Sequence, residues 1–386
     1  MKDLILAEVY GYPLYASAAV ITLGILLATV MTLVLYRSRH RGGAAVMSLA
    51  VFSFVFGVLF SRALHWYFNA ETYASFLDAM TDYSVGTFCL PGALLGIWLG
   101  AWITRTLGLT PTMGELLDAA APGTALLIAL IRLSALFNTT CRSRILVKSH
   151  WLQVLPFAVP MSDTAGNVSY RMATFFIEFL LMLLVMAIVL RFFSDKSERR
   201  MKRGCPRTGN AARLFVLLYA AVEIVMDSTR YDSPLMHFRL LSDLNQYSAF
   251  ISLAQIFAAA SALGILIHLS RCSIRANGFR WYHPLVWIGF LASLFGIGKL
   301  GEYNVQRYAA YLKCYGIMSA SCVLMVVLIW AIYRSCVSEK EGNCTTGDVA
   351  KRPQLVIARP CQGPWQSAFL LRETDSHASD SVTGSE

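Results

Sequence analysis

The stretch LLDAAAPGTALLIALIRLSALF, Leu116–Phe137, decides the fold, because it is a long apolar run with an arginine near its end. A helix needs about 20 predominantly apolar residues to cross the hydrocarbon core of a bilayer. An arginine within such a helix costs roughly 2.5 to 3.5 kcal/mol on insertion scales. The run therefore predicts a membrane-spanning helix in which Arg132 meets a polar partner inside the protein.

The composition of the rest of the chain agrees with a membrane protein. Of its 386 residues, 56% are hydrophobic and 15% are charged, whereas soluble domains contain about 25% charged residues. Apolar runs recur along the chain and predict an all-α, polytopic integral membrane helix bundle of seven spans plus about two extra C-terminal spans. The runs are Leu14–Tyr36, Ala44–Leu64, Val85–Thr104, Leu116–Phe137, Ala173–Phe193, Leu214–Met226, Ala249–Leu269, His283–Ile297 and Gly316–Tyr333.

The basic residues indicate the orientation of these spans. The net charge is +10, but lysine and arginine lie between the apolar runs, so we expect a positive-inside membrane topology and no nucleic-acid partner. The densest group follows the fifth run, from Arg191 to Arg207. With that loop inside, the N-terminus lies outside the cell.

The same pattern predicts three parts. Residues 1–269 form a transmembrane domain with an extracytoplasmic head loop at 139–171, and residues 270–335 form an additional transmembrane hairpin. Residues 336–386 are polar and predict a disordered cytoplasmic tail. The nine cysteines contain no C-x-x-C pair, and we expect no metal site and no cofactor.

Several ionisable residues interrupt the apolar runs. Glu223, Asp227 and Arg230 are spaced i, i+4 and i+7, so they share one helix face. In the predicted topology they lie at the same outer depth as Arg132 and Glu178, and Arg62 and His65 join them from the second span. A polar cavity toward the outer leaflet is therefore predicted.

Two convergent arginines suit one ligand chemistry. A guanidinium binds phosphate through two parallel hydrogen bonds, and it stays charged in an apolar site. In the outer leaflet this indicates a phospholipid headgroup. The alternative is that the charges only pair with one another, Arg132 with Glu178 and Asp227 with Arg230, and hold the helices together.

Short motifs at these positions resemble one family. IRLSALFNTTCRS resembles the signature Gly-Arg-x-Gly-Asn-Phe-x-Asn-Gly-Glu of the prolipoprotein diacylglyceryl transferases at Arg132 and Asn138. YRMATFFIE resembles Arg-His-Pro-Ser-Gln-Leu-Tyr-Glu at Glu178. LYAAVEIVMDSTRYD resembles Tyr-Gly-x-x-Arg-Phe-x-x-Glu-Phe-x-Arg at Tyr219 and Arg230, with Asp227 in place of the glutamate.

Other positions extend or interrupt the resemblance. LLDAAAP is similar to the family's Ala-Asp-x-x-Ala-Pro at Asp118 and Pro122, and Gln246 fits a family glutamine. Glu223 stands where the signature has an arginine, and Pro91 stands where the family has a histidine. The likeness covers Tyr12 to Leu269, the first seven spans, so the last two are additional to the family pattern.

The resemblance implies a reaction. Members of the family move the diacylglyceryl group of phosphatidylglycerol to the lipobox cysteine of preprolipoproteins in the bacterial inner (plasma) membrane. It implies catalytic roles for Arg132 and Arg230, with the lipid bilayer, phosphatidylglycerol and preprolipoproteins as partners. Substrate-binding roles are implied for Arg62, Asn138, Glu178, Asp227 and Gln246. His65, Asp227 and Glu178 are all candidates for the general base.

The departures keep a second hypothesis open. A degenerate, non-catalytic relative would retain the lipid pocket and act as a phospholipid-binding or lipoprotein-binding membrane protein.

Overall fold

The computed structural model describes residues 4–9, 12–39, 42–68, 73–81, 88–137, 143–154, 156–162, 168–194, 201–202, 205–230, 251–308 and 311–337. Within these residues a helix covers most of every predicted apolar run, so the all-α membrane bundle is confirmed. The helices are α1 (Ala16–Arg37), α2 (Ala44–Phe68), α3 (Phe76–Thr81), α4 (Leu90–Thr106), α5 (Met113–Ser134), α6 (Thr174–Ser194), α7 (Asn210–Thr229), α8 (Leu253–Asn277), α9 (Tyr282–Phe295), α10 (Tyr303–Tyr308) and α11 (Tyr311–Cys336).

Seven of the described helical segments are long and apolar enough to cross a membrane. They contain α1, α2, α5, α6, α8, α9 and α11. The described part of α4 has 17 residues, about 25 Å of helix, which is shorter than a hydrocarbon core of about 30 Å. Helix α7 has 20 residues but carries Arg213, Glu223 and Asp227. These two helices complete the bundle by packing against the longer ones.

Two short hairpins were not predicted from the sequence. Strand β1 (Ile5–Val9) pairs antiparallel with β2 (Tyr12–Tyr15), and β3 (Ala158–Ser162) pairs antiparallel with β4 (Val168–Met172). The first span starts at Ala16, two residues after the approximate start predicted at Leu14, because Leu14 lies in β2. Strands of four or five residues give too short an alternation to stand out beside a long apolar run.

The eighth span is longer than the predicted His283–Ile297. A π-helical segment, Gly296–Glu302, joins α9 to α10, and the apolar helix extends to Val305. At Gly301 an added Cβ would lie 2.1 Å from Cγ of Met318 on α11. The π segment thus allows α11 to approach closely, and it also buries the Glu302 side chain.

Helix α7 lies between two apolar cores. Its residues Phe215 and Tyr219 contribute to a core formed with α1, α2, α4, α5 and α6. Its residues Leu217 and Ile224 contribute to a second core formed with α8, α9 and α11. Since both cores use α7, its remaining face presents the charged residues to the interior of the bundle and not to lipid.

The first turn of α7 is capped from another helix. Its N-cap residue is Gly209, which has no side chain to accept a hydrogen bond. Asp118 on α5 accepts hydrogen bonds from the backbone N–H groups of Gly209 (2.7 Å) and Ala212 (2.9 Å). A carboxylate at a helix N-terminus satisfies unpaired donors and also interacts favourably with the helix dipole. The aspartate of LLDAAAP therefore fixes where α7 begins.

We expect Asp118→Ala to lower the free energy of unfolding by about 1 to 2 kcal/mol, because two buried N–H groups lose their acceptor. Thermal unfolding in detergent measures the change. Asp118→Asn keeps one acceptor oxygen, so its melting temperature should lie between those of the alanine variant and the wild type. An alanine variant as stable as the wild type would show that the cap contributes nothing.

Candidate functional site

Five ionisable side chains from α5, α6 and the end of α7 form one buried group, hereafter the ion cluster. Its members are Arg132, Glu178, Glu223, Asp227 and Arg230, and each is at most 7% exposed. Arg132 lies near the end of α5, and Glu178 lies in the second turn of α6. The other three follow the predicted single face along the end of α7. Five of the ionisable positions singled out in the sequence therefore meet.

Two carboxylates join the two arginines. Arg132 Nε lies 2.6 Å from Glu178 Oε2, and Arg132 Nη2 lies 3.0 Å from Glu223 Oε2. Arg230 Nε donates to Glu178 Oε1 at 2.8 Å, and Arg230 Nη1 donates to Glu223 Oε1 at 3.2 Å. Arg230 Nη1 also donates to Asp227 Oδ1 at 3.2 Å. Each arginine thus contacts both glutamates, and the two guanidinium groups are held close together.

The backbone around Arg230 is fixed by the segment after α5. Ser143 pairs with Arg230 in an isolated antiparallel bridge, and Arg144 N donates to Thr229 O at 2.9 Å. The Arg144 side chain donates through Nε to Arg230 O at 2.8 Å. Sequence reasoning missed these contacts, because a strand-like bridge between residues 143 and 230 leaves no local pattern.

The charges in the cluster do not balance. Two guanidinium groups and three carboxylates have a formal charge of −1 when all are ionised. Both expected ion pairs, Arg132 with Glu178 and Asp227 with Arg230, are present, together with the cross pairs through Glu223. A phosphate that enters the cluster must therefore compete with carboxylates for the same N–H donors.

A small cavity lies between α4, α7 and α8, with a volume of about 80 Å³. Tyr219 contributes to its wall, and among the described residues its buried hydroxyl has no hydrogen-bond partner. The volume suits a few water molecules and is below the roughly 300 to 1,000 Å³ of small-molecule sites. The lining residues are Pro91, Leu94, Leu95, Val216, Tyr219, Ala220, Ala254, Phe257, Ala258 and Ser261.

The described contacts of Arg62 and His65, which were predicted to join the same cavity, are with residues outside the ion cluster. Arg62 is 1% exposed, so the protein encloses its side chain. Its Nη1 donates to Ala79 O at 3.3 Å, and its guanidinium lies over the Phe88 ring, 4.5 Å from the centroid. His65 Nε2 lies 3.1 Å from the Tyr73 hydroxyl. Asn138 and Gln246 lie outside the described residues.

Comparison with known proteins relates this geometry to a reaction family. A family model described as prolipoprotein diacylglyceryl transferase matches residues 5–268, more than half of the chain. The chain belongs to this family. The match ends before α9, so the last spans lie beyond it. Together, the family and the apolar helices show a multi-pass membrane protein of a transferase family in lipoprotein biosynthesis.

Two curated relatives are similar over the same region. A phosphatidylglycerol-prolipoprotein diacylglyceryl transferase of Frankia alni is 30% identical over 228 residues, which are 57% of this chain and 56% of the relative. A protein of the same name from Frankia casuarinae is 28% identical over 229 residues, covering 57% of this chain and 52% of the relative. The chain thus spans about half the length of the curated relatives that it matches.

The family signature clarifies what is unusual in the ion cluster. In the resemblance described from the sequence, Arg132, Glu178 and Arg230 match the signature, and Glu223 stands where the signature has an arginine. An arginine-to-glutamate exchange changes the formal charge of a site by two units. In this chain, the Glu223 carboxylate contacts both arginines of the ion cluster.

Proposed function

We propose that the chain transfers the diacylglyceryl group of phosphatidylglycerol to the cysteine of preprolipoproteins, on the outer side of a bacterial plasma membrane. One observation carries the proposal: Arg132 and Arg230, at the matching positions of the signature, contact the same two glutamates inside the bundle. Preorganised cations in a site without water stabilise a developing charge far better than they would in bulk water.

The reaction is a displacement at a glycerol carbon. The lipobox thiolate attacks that carbon and forms the carbon–sulfur bond, while the bond from the carbon to the phosphate oxygen breaks. Glycerol phosphate leaves with the electron pair and with negative charge that Arg132 and Arg230 stabilise. The thiol proton must be removed, because the thiolate is the nucleophile. Glu178, Glu223 and Asp227 are the carboxylates in the cluster that can accept it.

Proton uptake and phosphate binding are coupled in this proposal. A carboxylate of the cluster that accepts the thiol proton loses its charge and weakens its ion pair. The guanidinium that it held then has N–H donors for the phosphate. One of the three carboxylates, which opposes phosphate binding while it is charged, thus accepts the proton. In the family signature a histidine stands at the position of Pro91 and could take this role.

A second candidate is a relative that binds the phospholipid but does not transfer it. Two observations favour it, namely Pro91 in place of the family histidine, at the wall of the cavity with Tyr219, and Glu223 in place of an arginine. In this case the ion cluster only holds the helices together, and the lipid or lipoprotein binds beside it.

The deciding experiment places the chain in a host whose own transferase can be depleted. With a transferase, a model prolipoprotein acquires the diacylglyceryl group and shifts on a gel, and Arg230→Ala abolishes the shift. Arg105→Ala removes an exposed arginine on α4 and should leave it unchanged. No shift, although the protein inserts and is folded, would contradict the transferase proposal.

The second candidate makes its own prediction. If the wild type binds phosphatidylglycerol vesicles without transfer, the double variant Pro91→His with Glu223→Arg should gain lipidation of the model prolipoprotein. Pro91 lies in the first turn of α4, where no helical hydrogen bond depends on that residue's N–H, so histidine is compatible with the fold there. Glu223→Asp is the matched control, because it retains the negative charge.

A further inference from the structure

The last two turns of α7 carry Glu223 and Asp227 of the ion cluster. The carbonyl groups at the end of this helix need hydrogen-bond partners. The last carbonyl groups of a helix have no partner within it. Thr229 Oγ1 donates to Met226 O at 2.7 Å, and Arg230 N donates to Asp227 O at 3.1 Å. Arg144 N donates to Thr229 O. Ser228 O accepts from the Tyr315 hydroxyl at 3.1 Å, and Tyr315 belongs to α11, beyond the residues that the family model matches.

A second contact reaches α7 from the same C-terminal region. Gln255 Nε2 donates both to Ile224 O (3.0 Å) and to Glu302 Oε2 (3.2 Å). The oxygen of the same side-chain amide, Gln255 Oε1, accepts from Ser252 N at 3.1 Å. Glu302 and Gln255 are 2% and 4% exposed. The carboxylate of Glu302 thus orients the amide that holds the backbone of Ile224, the residue after Glu223.

From these contacts we infer that the two additional C-terminal spans position the ion cluster, with Tyr315 and Glu302 as the positioning residues. Tyr315 acts on the carbonyl of Ser228, between Asp227 and Arg230, and Glu302 acts through Gln255 on the carbonyl beside Glu223. Together they keep the last two turns of α7 oriented so that its charged face meets Arg132 and Glu178. As a statement about catalysis, this inference rests on the proposed transferase function.

The expected consequence follows from the geometry of transition-state stabilisation. A displacement of a catalytic group by about 1 Å can slow a reaction about 100-fold. Tyr315→Phe removes one hydroxyl without changing the apolar packing, so the bundle should remain folded while the end of α7 moves. The rate should therefore fall while lipid affinity and melting temperature change little.

The first test compares two tyrosines of α11. Tyr315→Phe should lower kcat for lipidation of a model prolipoprotein by about tenfold or more, with KM for phosphatidylglycerol unchanged within about twofold. Tyr333→Phe makes the same chemical change at the other end of α11 and should keep the wild-type kcat. Equal kcat values for the two variants would overturn the inference.

Two substitutions at Glu302 test its hydrogen bond with Gln255. Glu302→Gln retains an oxygen acceptor for Gln255 and should keep most of the activity. Glu302→Ala removes the acceptor, and its loss of kcat should resemble that of Tyr315→Phe. Similar kcat values for the glutamine and alanine variants would contradict a role through hydrogen bonding.

A second readout does not require activity. Amide hydrogen exchange over residues 224–230 should be faster in Tyr315→Phe than in the wild type and in Tyr333→Phe, because the end of α7 has lost a tether. Unchanged exchange would overturn the positioning role even in an inactive protein. Faster exchange in a chain that transfers no lipid would support the positioning role and contradict only the proposed function.

Discussion

Arg132→Ala is expected to lower the free energy of unfolding by about 3 to 5 kcal/mol, because it leaves buried carboxylates with half of their cationic partners. Glu178 and Glu223 both contact Arg132, and they are 1% and 4% exposed. Among the described residues of the ion cluster, Arg230 would then be the arginine that faces the three carboxylates. Thermal unfolding in detergent should show a large decrease in melting temperature, and Arg105→Ala, at an exposed position, should show none.

Arg132→Lys separates a structural charge from a phosphate site. Lysine retains the positive charge, but its single ammonium group lacks the planar fork that contacts Glu178 through Nε and Glu223 through Nη2. If Arg132 binds phosphate, lysine should recover much of the stability and still bind phosphatidylglycerol nearly as poorly as alanine does. A lysine variant that is stable and binds the lipid normally would leave Arg132 with a structural role alone.

Gly96→Ala is expected to destabilise the protein by about 3 kcal/mol, the upper part of the usual range for overpacking. An added Cβ at Gly96 would lie 2.3 Å from N and 2.4 Å from Cα of Gly57. Both are backbone atoms of α2, so no side chain can move aside, and α2 and α4 must separate. Close backbone approach at small residues is a common mode of helix packing in membranes.

A glycine on α8 provides the matched control. Gly264 is exposed, and an added Cβ there meets nothing within 4 Å. Gly264→Ala should be neutral or stabilising by up to about 1 kcal/mol through helix propensity. The difference in melting temperature between the two variants measures the α2–α4 contact. Equal melting temperatures would show that the two helices can separate at no cost.

The sequence by itself predicted the apolar helices and several of the ionisable residues that meet between them. Apolar runs of about 20 residues require helices in a bilayer, because backbone groups there must be satisfied within the segment. Charged residues in such runs must face inward, and the i, i+4, i+7 spacing placed Glu223, Asp227 and Arg230 on one face. The orientation of the bundle across the membrane stays a prediction from loop charge.

Only the tertiary structure decided which charges pair and what holds them. The sequence singled out the charged residues of the ion cluster, but Glu223 on α7 contacts Arg132 on α5, and no local pattern encodes that contact. The same is true of Asp118 at the first turn of α7 and of Tyr315 at its last turn. Helix formation depends on neighbouring residues, whereas these hydrogen bonds join residues 87 to 91 positions apart, so they exist only once the helices have packed.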